Sequence, residues 1–400
     1  MRAFGEFRIL LLSVSILWGT PVVLLGEEHG TNGTVAASTP RSSALAYGRL
    51  ETTRLVLEQS EETVSFRPKD LNQPQWHFPG MDSEAVFAFL KSAGLTGPQL
   101  EALKRPEVAI GGPHGLIVVP PRHVGMGLTR ASRRVIYDKL AEFPENERER
   151  QPFQFLETDV DEWRDSGVLS EQTTDLIKRM SVVRAGMLCF SDTQIASEVP
   201  FYERGPLLRM LTRVPSLAVK LTVDRQSDIE AMSSYWGAGG RTGEVRAVLA
   251  AMGEVDGGSK MDLSRILPPF ARSRLYTFPD SSMQPTAPFQ DCFWTALNFF
   301  RETPEEFNGD TAKVSALIAQ RYSLVRDAPK FGDVVMMMDP GGTALHACVY
   351  LADNIVFTKN GKGLNRPWIL MNMDEMFRTY LAHLRPGIRI QVLAYRLNGT

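Results

Sequence analysis

Cysteine is scarce in this chain: three residues in 400, at positions 189, 292 and 348. So small and odd a set excludes a disulfide framework. Even if Cys189 bridged Cys348, one thiol would stay free. An excess of one charge is also missing, since 44 Lys and Arg face 46 Asp and Glu. Arg-rich stretches such as Arg130-Ala131-Ser132-Arg133-Arg134 are short and read as solvated helix faces, so no nucleic-acid partner is expected. His29, His77, His114, His123 and His383 lack a Cys or carboxylate at metal-ligand spacing, and neither a metal nor a cofactor is predicted. There is no internal repeat. Gly237-Ala238-Gly239-Gly240-Arg241-Thr242 lacks both the Gly-Lys-Ser/Thr ending of a phosphate loop and a strand directly before it, and reads as a plain loop. Past the N-terminus no apolar run is long enough to cross a bilayer.

What is present starts at the N-terminus. Arg2 and Arg8 precede the apolar run Ile9 to Trp18, apolar character resumes at Val22 to Leu25, and a small residue follows at Gly26. Residues 1–26 therefore read as a signal peptide, with an uncleaved membrane anchor as the alternative. The expected location is secreted or periplasmic, within the cell envelope, and membrane contact is expected only if the anchor is retained. Residues 27–49 are rich in Gly, Ser, Thr and Ala and read as a flexible tether.

A chain of 400 residues exceeds one small core. Residues 50–279 form a helix-rich α/β module whose role is not legible, with helix caps at Ser83, Thr129 and Ser170 and strand-like runs at 116–119, 187–190 and 217–223. Proline density rises between Leu267 and Pro288, which places a domain boundary near 279/280. Beyond it the pattern predicts helices over 291–301 and 311–321, strands over 333–338, 346–351 and 355–358, a helix over 373–381 and a strand over 388–395. That order predicts an α+β fold with a helix packed on an antiparallel sheet in residues 280–400.

The candidate chemistry lies in this last region. Asp291 can cap a helix that opens with Cys292-Phe293-Trp294, where the helix dipole and unpaired amides favour a thiolate. His346 lies on an apolar strand and is the candidate base and acid. Cys348 shares the strand face of His346 and is expected to fill a small-residue slot against the Cys292 helix. Two residues compete to orient the imidazole. Thr358 offers a rotating hydroxyl, while Asn360 offers an amide oxygen and is the preferred third residue. The bland alternative makes Cys292 an inert core thiol and His346 a satisfied core histidine.

Asp291-Cys292, then Gly332-Asp333-Val334-Val335, then His346-Ala347-Cys348-Val349-Tyr350-Leu351 resemble, in order and spacing, the NlpC family of papain-like cell-wall cysteine peptidases. Phe293-Trp294 and Cys348 depart from its small-residue pattern. The resemblance covers only this C-terminal region. It implies a papain-like domain in which Cys292 attacks an amide of a peptidoglycan stem peptide or another peptide substrate. His346 would then protonate the leaving amine, and the Cys292 backbone N–H would face the oxyanion. It equally allows an acyltransferase or transamidase in which an amine replaces water. A non-catalytic wall-binding or scaffold protein with a buried Cys292 is the alternative from a different class.

Overall fold

A computed structural model describes residues 46–59, 74–112, 114–279, 290–307, 310–384 and 388–399. The expected signal peptide and most of the tether lie outside the described residues. None of the described helices is long and apolar enough to cross a membrane. The fold is α+β with small antiparallel sheets, and the chain divides into two compact units.

The first unit takes the chain up to Leu57, then Val214–Asp374 and Gly387–Thr400; the second takes Glu58–Arg213 and Glu375–Pro386. The division therefore does not fall at 279/280, and residues 214–279 belong with the C-terminal region. Ser216 shows why: its hydroxyl donates to the Leu370 carbonyl at 3.0 Å and accepts from the Leu370 N–H at 3.1 Å. Tyr235 donates through its hydroxyl to the Leu351 carbonyl at 2.7 Å. Past the first prolines the chain does not leave the fold but runs beside Trp368. Tyr276 N–H donates to the Trp368 carbonyl at 2.8 Å, and Trp368 N–H to the Thr277 carbonyl at 3.1 Å.

In the second unit, Trp76–Pro79, Gly115–Val118 and Ala109–Gly112 form one three-stranded sheet, and Phe153–Phe155, Met187–Phe190 and Val182–Arg184 form another. Thr129 and Ser170 cap helices as their sequence predicts, each accepting from the backbone N–H three residues on, while the cap expected at Ser83 is supplied by Asp82. A buried polar network ties this unit together: Arg133 and Tyr137 both donate to the Asp192 carboxylate, at 2.5 and 2.6 Å.

The first unit holds the candidate site. A three-stranded sheet has Val214–Val223 between Arg49–Leu57 and Ser259–Asp262. The helices we call α1 (Cys292–Leu297) and α2 (Thr311–Arg321) precede a six-stranded antiparallel sheet. Its strands are β1 (Tyr322–Val325), β2 (Val334–Met338), β3 (Ala344–Ala352), β4 (Ile355–Lys359), β5 (Trp368–Asn372) and β6 (Gln391–Leu397). In space their order is β1-β6-β2-β3-β4-β5. β1 and β5 are edge strands that the sequence pattern does not reveal.

The helix at Cys292 is shorter than its apolar run predicts, ending at Leu297 rather than Arg301. Asn298 ends it. The Asn298 amide donates to the Trp294 and Glu305 carbonyls at 2.9 and 3.0 Å, and its oxygen accepts from Glu305 N–H at 2.7 Å. A side chain that satisfies the helix end and the following loop together fixes the chain reversal there.

Candidate active site

Asp291 caps α1 as the sequence predicts, its carboxylate accepting from Trp294 N–H at 2.8 Å. All six residues of α1 are buried, including Cys292 at 6% exposure. Burial pushes the Cys292 thiol up to about 12, and the neighbouring Asp291 charge adds to that; the Ala347 backbone N–H and the Lys359 ammonium act against it. A helix of under two turns has only a small dipole, and a carboxylate already occupies its positive end. The expected thiolate is therefore not favoured. Desolvation outweighs the helix terminus, and Cys292 carries its proton at neutral pH.

His346 is fully buried on β3, opposite Met337 of β2. Its Nε2 lies 3.0 Å from the Thr358 hydroxyl, which itself donates to Asn360 Oδ1 at 3.1 Å. With the hydroxyl proton committed to Asn360, Thr358 accepts from the imidazole, which assigns the proton to Nε2. The competing third residues thus act in series. Thr358 touches the ring, and Asn360, preferred on chemical grounds, orients the hydroxyl instead. Asn360 is held in turn by the Met371 sulfur, 3.3 Å from its amide nitrogen. Burial lowers the His346 pKa to about 3, so the ring is neutral at ordinary pH.

Alternation along β4 decides how these groups relate to Cys292. Phe357 and Lys359 point to one face and Thr358 to the other. The α1 region lies on the Phe357 face: Phe299 packs on Phe357 with ring centroids 5.8 Å apart. On β5, Trp368 pairs with Lys359 in register, donates to the Thr295 hydroxyl at 2.9 Å and packs against Trp294. Since His346 bonds Thr358, its ring is on the opposite face from α1. The backbone of the sheet separates thiol and imidazole. Cys348, two residues beyond His346, shares the face of His346 rather than filling a slot beneath α1; burial pushes its thiol up as well, and the nearby Cys292 adds to that.

The group that does share a face with Cys292 is Lys359, which no motif singled out. It is fully buried, donates to the Gly361 and Gly363 carbonyls at 2.7 and 3.1 Å, and lies over the Trp368 ring. Burial lowers its pKa to about 8, against the pull of Cys292 and Asp291. A buried Lys on an apolar strand carries no sequence signature beyond its presence in Ile355-Val356-Phe357-Thr358-Lys359.

Gly332-Asp333 also has a structural explanation. Asp333 receives a two-pronged pair from Arg396 of β6 at 2.8 and 2.6 Å. Gly332 sits at a φ of +89°, and an added Cβ would lie 2.1 Å from the Phe300 ring. Among the described residues no group of His, Cys, Asp and Glu has the arrangement of a metal site. No protein-family model, curated protein or solved structure matches the chain.

Proposed function

We propose that this chain works without turnover, as a binding or scaffold protein of the cell envelope, in which Cys292 is a core thiol. One observation carries the reading: α1 lies on the Phe357 face of the sheet, while His346 bonds Thr358 on the other. A thiol at about 12 and an imidazole at about 3 are both neutral at pH 7, which supports the same conclusion. Nucleophilic catalysis needs the base within hydrogen-bond reach of the nucleophile. The resemblance to NlpC-type peptidases is then one of sequence pattern and of a helix beside an antiparallel sheet, without their dyad. Peptidoglycan remains the partner that the resemblance and the signal-like N-terminus favour.

The pH dependence of Cys292 alkylation, read by peptide mass spectrometry in wild type and His346→Ala, tests the proposal. Slow labelling that climbs only at alkaline pH and ignores the substitution is expected. Rapid labelling near pH 6 that disappears in His346→Ala would overturn it in favour of the hydrolase, or of the transamidase if an added amine accelerates turnover of muropeptides. The hydrolase reading has one observation of its own: the imidazole is bonded by a polar residue on the following strand, as a papain-like mechanism requires.

A further inference from the structure

A second candidate site opens where the chain leaves α1. A cleft of about 240 Å³ is lined by Leu297, Phe300, Leu317 and Tyr322, with Arg301 and Arg321 at its polar side. Its wall is built with little tolerance. Phe300 lies against Gly239 and Gly332, both at positive φ, where an added Cβ would fall 2.6 and 2.1 Å from the ring. The two arginines come from different elements and converge on a single carboxylate oxygen: Arg301 reaches Glu305 Oε2 at 2.7 Å and Arg321 reaches the same oxygen at 3.1 Å. The same three charges act on the Tyr322 hydroxyl. Two guanidinia against one carboxylate leave a net positive charge at the edge of an apolar cleft.

We propose that this cleft binds a small carboxylate with an apolar body, the head group seated between Arg301 and Arg321 and the body against Phe300 and Leu317. Glu305 shows the chemistry the pair accepts, because a carboxylate already occupies it. Planar guanidinium groups match carboxylates well. Glu305 is itself clamped through its backbone by Asn298, while its side chain remains partly exposed and able to swing aside. It therefore competes with an incoming carboxylate. The volume lies below the roughly 300–1,000 Å³ of common small-molecule sites, which limits the ligand to a short acid or the last residue of a peptide. The site does not depend on the reading of Cys292.

The test titrates the full chain with hexanoate and with N-acetyl-leucine, which represent a free acid and a peptide C-terminus, and with hexanol as the uncharged control. Saturable binding of at least one carboxylate, well above that of hexanol, is expected, and the stronger of the two identifies the source. Arg321→Gln should weaken that binding by about tenfold or more, as loss of a charge-assisted hydrogen bond does. Glu305→Gln should tighten it, because the internal competitor is gone. A merely structural ion pair would not produce that opposite response, and it survives as a test if Arg321→Gln folds poorly. Absence of carboxylate binding, equal binding of hexanol, or unchanged or weaker affinity in Glu305→Gln would overturn the proposal.

Discussion

His346 and Lys359 are buried bases whose folded-state pKa values are depressed, and each has a consequence for stability. Below the ordinary histidine pKa of about 6.5 the unfolded chain takes up a proton that folded His346, at about 3, does not. The unfolded state binds more protons there, so the His346 contribution is intact above about 6.5 and is lost as pH falls toward 3. We expect His346→Gln to flatten the acid limb of a stability-versus-pH curve. Urea melts of wild type and variant between about pH 4 and 7 check this. The comparison must be a difference between the two proteins, because Glu149, raised to about 7 by burial, has the opposite slope over part of that window. Lys359 behaves likewise at higher pH. Folded Lys359 releases its proton near 8 and the unfolded chain only near 10.5, so stability rises with pH across that interval. Wild type should gain on Lys359→Met between about pH 8 and 9, as read by melting temperature. Cys292, whose folded thiol holds its proton up to about 12, lowers the stability of both proteins above about pH 9 and so cancels in this comparison.

At the scale of elements, much of the first unit was legible. Strands β2, β3, β4 and β6 and helix α2 fall where the apolar pattern places them. The faces of the strands were not legible, and the proposed reading of Cys292 and His346 turns on them. All five residues of β2 and all five of β4 are buried, so neither strand shows the alternation that tells one face from the other. A residue such as His346 has no sequence signal for which side it takes. The length of α1 was misread for a different reason: Phe299 and Phe300 continue the apolar run, while the stop is one asparagine whose hydrogen bonds reach seven residues ahead. Asn298→Ala removes those two bonds to Glu305 and the one back to Trp294, and should cost about 2–4 kcal/mol in chemical denaturation. Gly332→Ala meets both a positive φ and the Phe300 ring, and should cost on the order of 2 kcal/mol or more. Besides its ladder with β4, the edge strand β5 meets Leu275 to Thr277, a segment in a stretch whose prolines read as a boundary.

For the whole molecule, the proline-rich stretch is misleading because composition marks where a chain tends not to be helical, whereas a domain boundary is set by which segments bury each other. Residues 214–279 supply Ser216, Tyr235 and Tyr276, each hydrogen-bonded to the backbone or core of the C-terminal region. A fragment of residues 280–400 is therefore expected to lack cooperative unfolding and to show collapsed amide dispersion by NMR. A fragment that also carries residues 214–279 should recover part of both.

The position of β6 has a consequence for biosynthesis. It is the last of the described strands, yet it sits between β1 and β2. Its N-terminal neighbours in the chain are made first and wait with open edges, since a ribosome must deliver residues 391–397 before this sheet can close. Residues 58–213 form most of a separate compact unit and are synthesised long before that moment. The nascent first unit thus stays unfinished until β6 emerges, and a stop between β5 and β6 leaves β1 without a partner and β2 with an exposed edge for other chains to pair with.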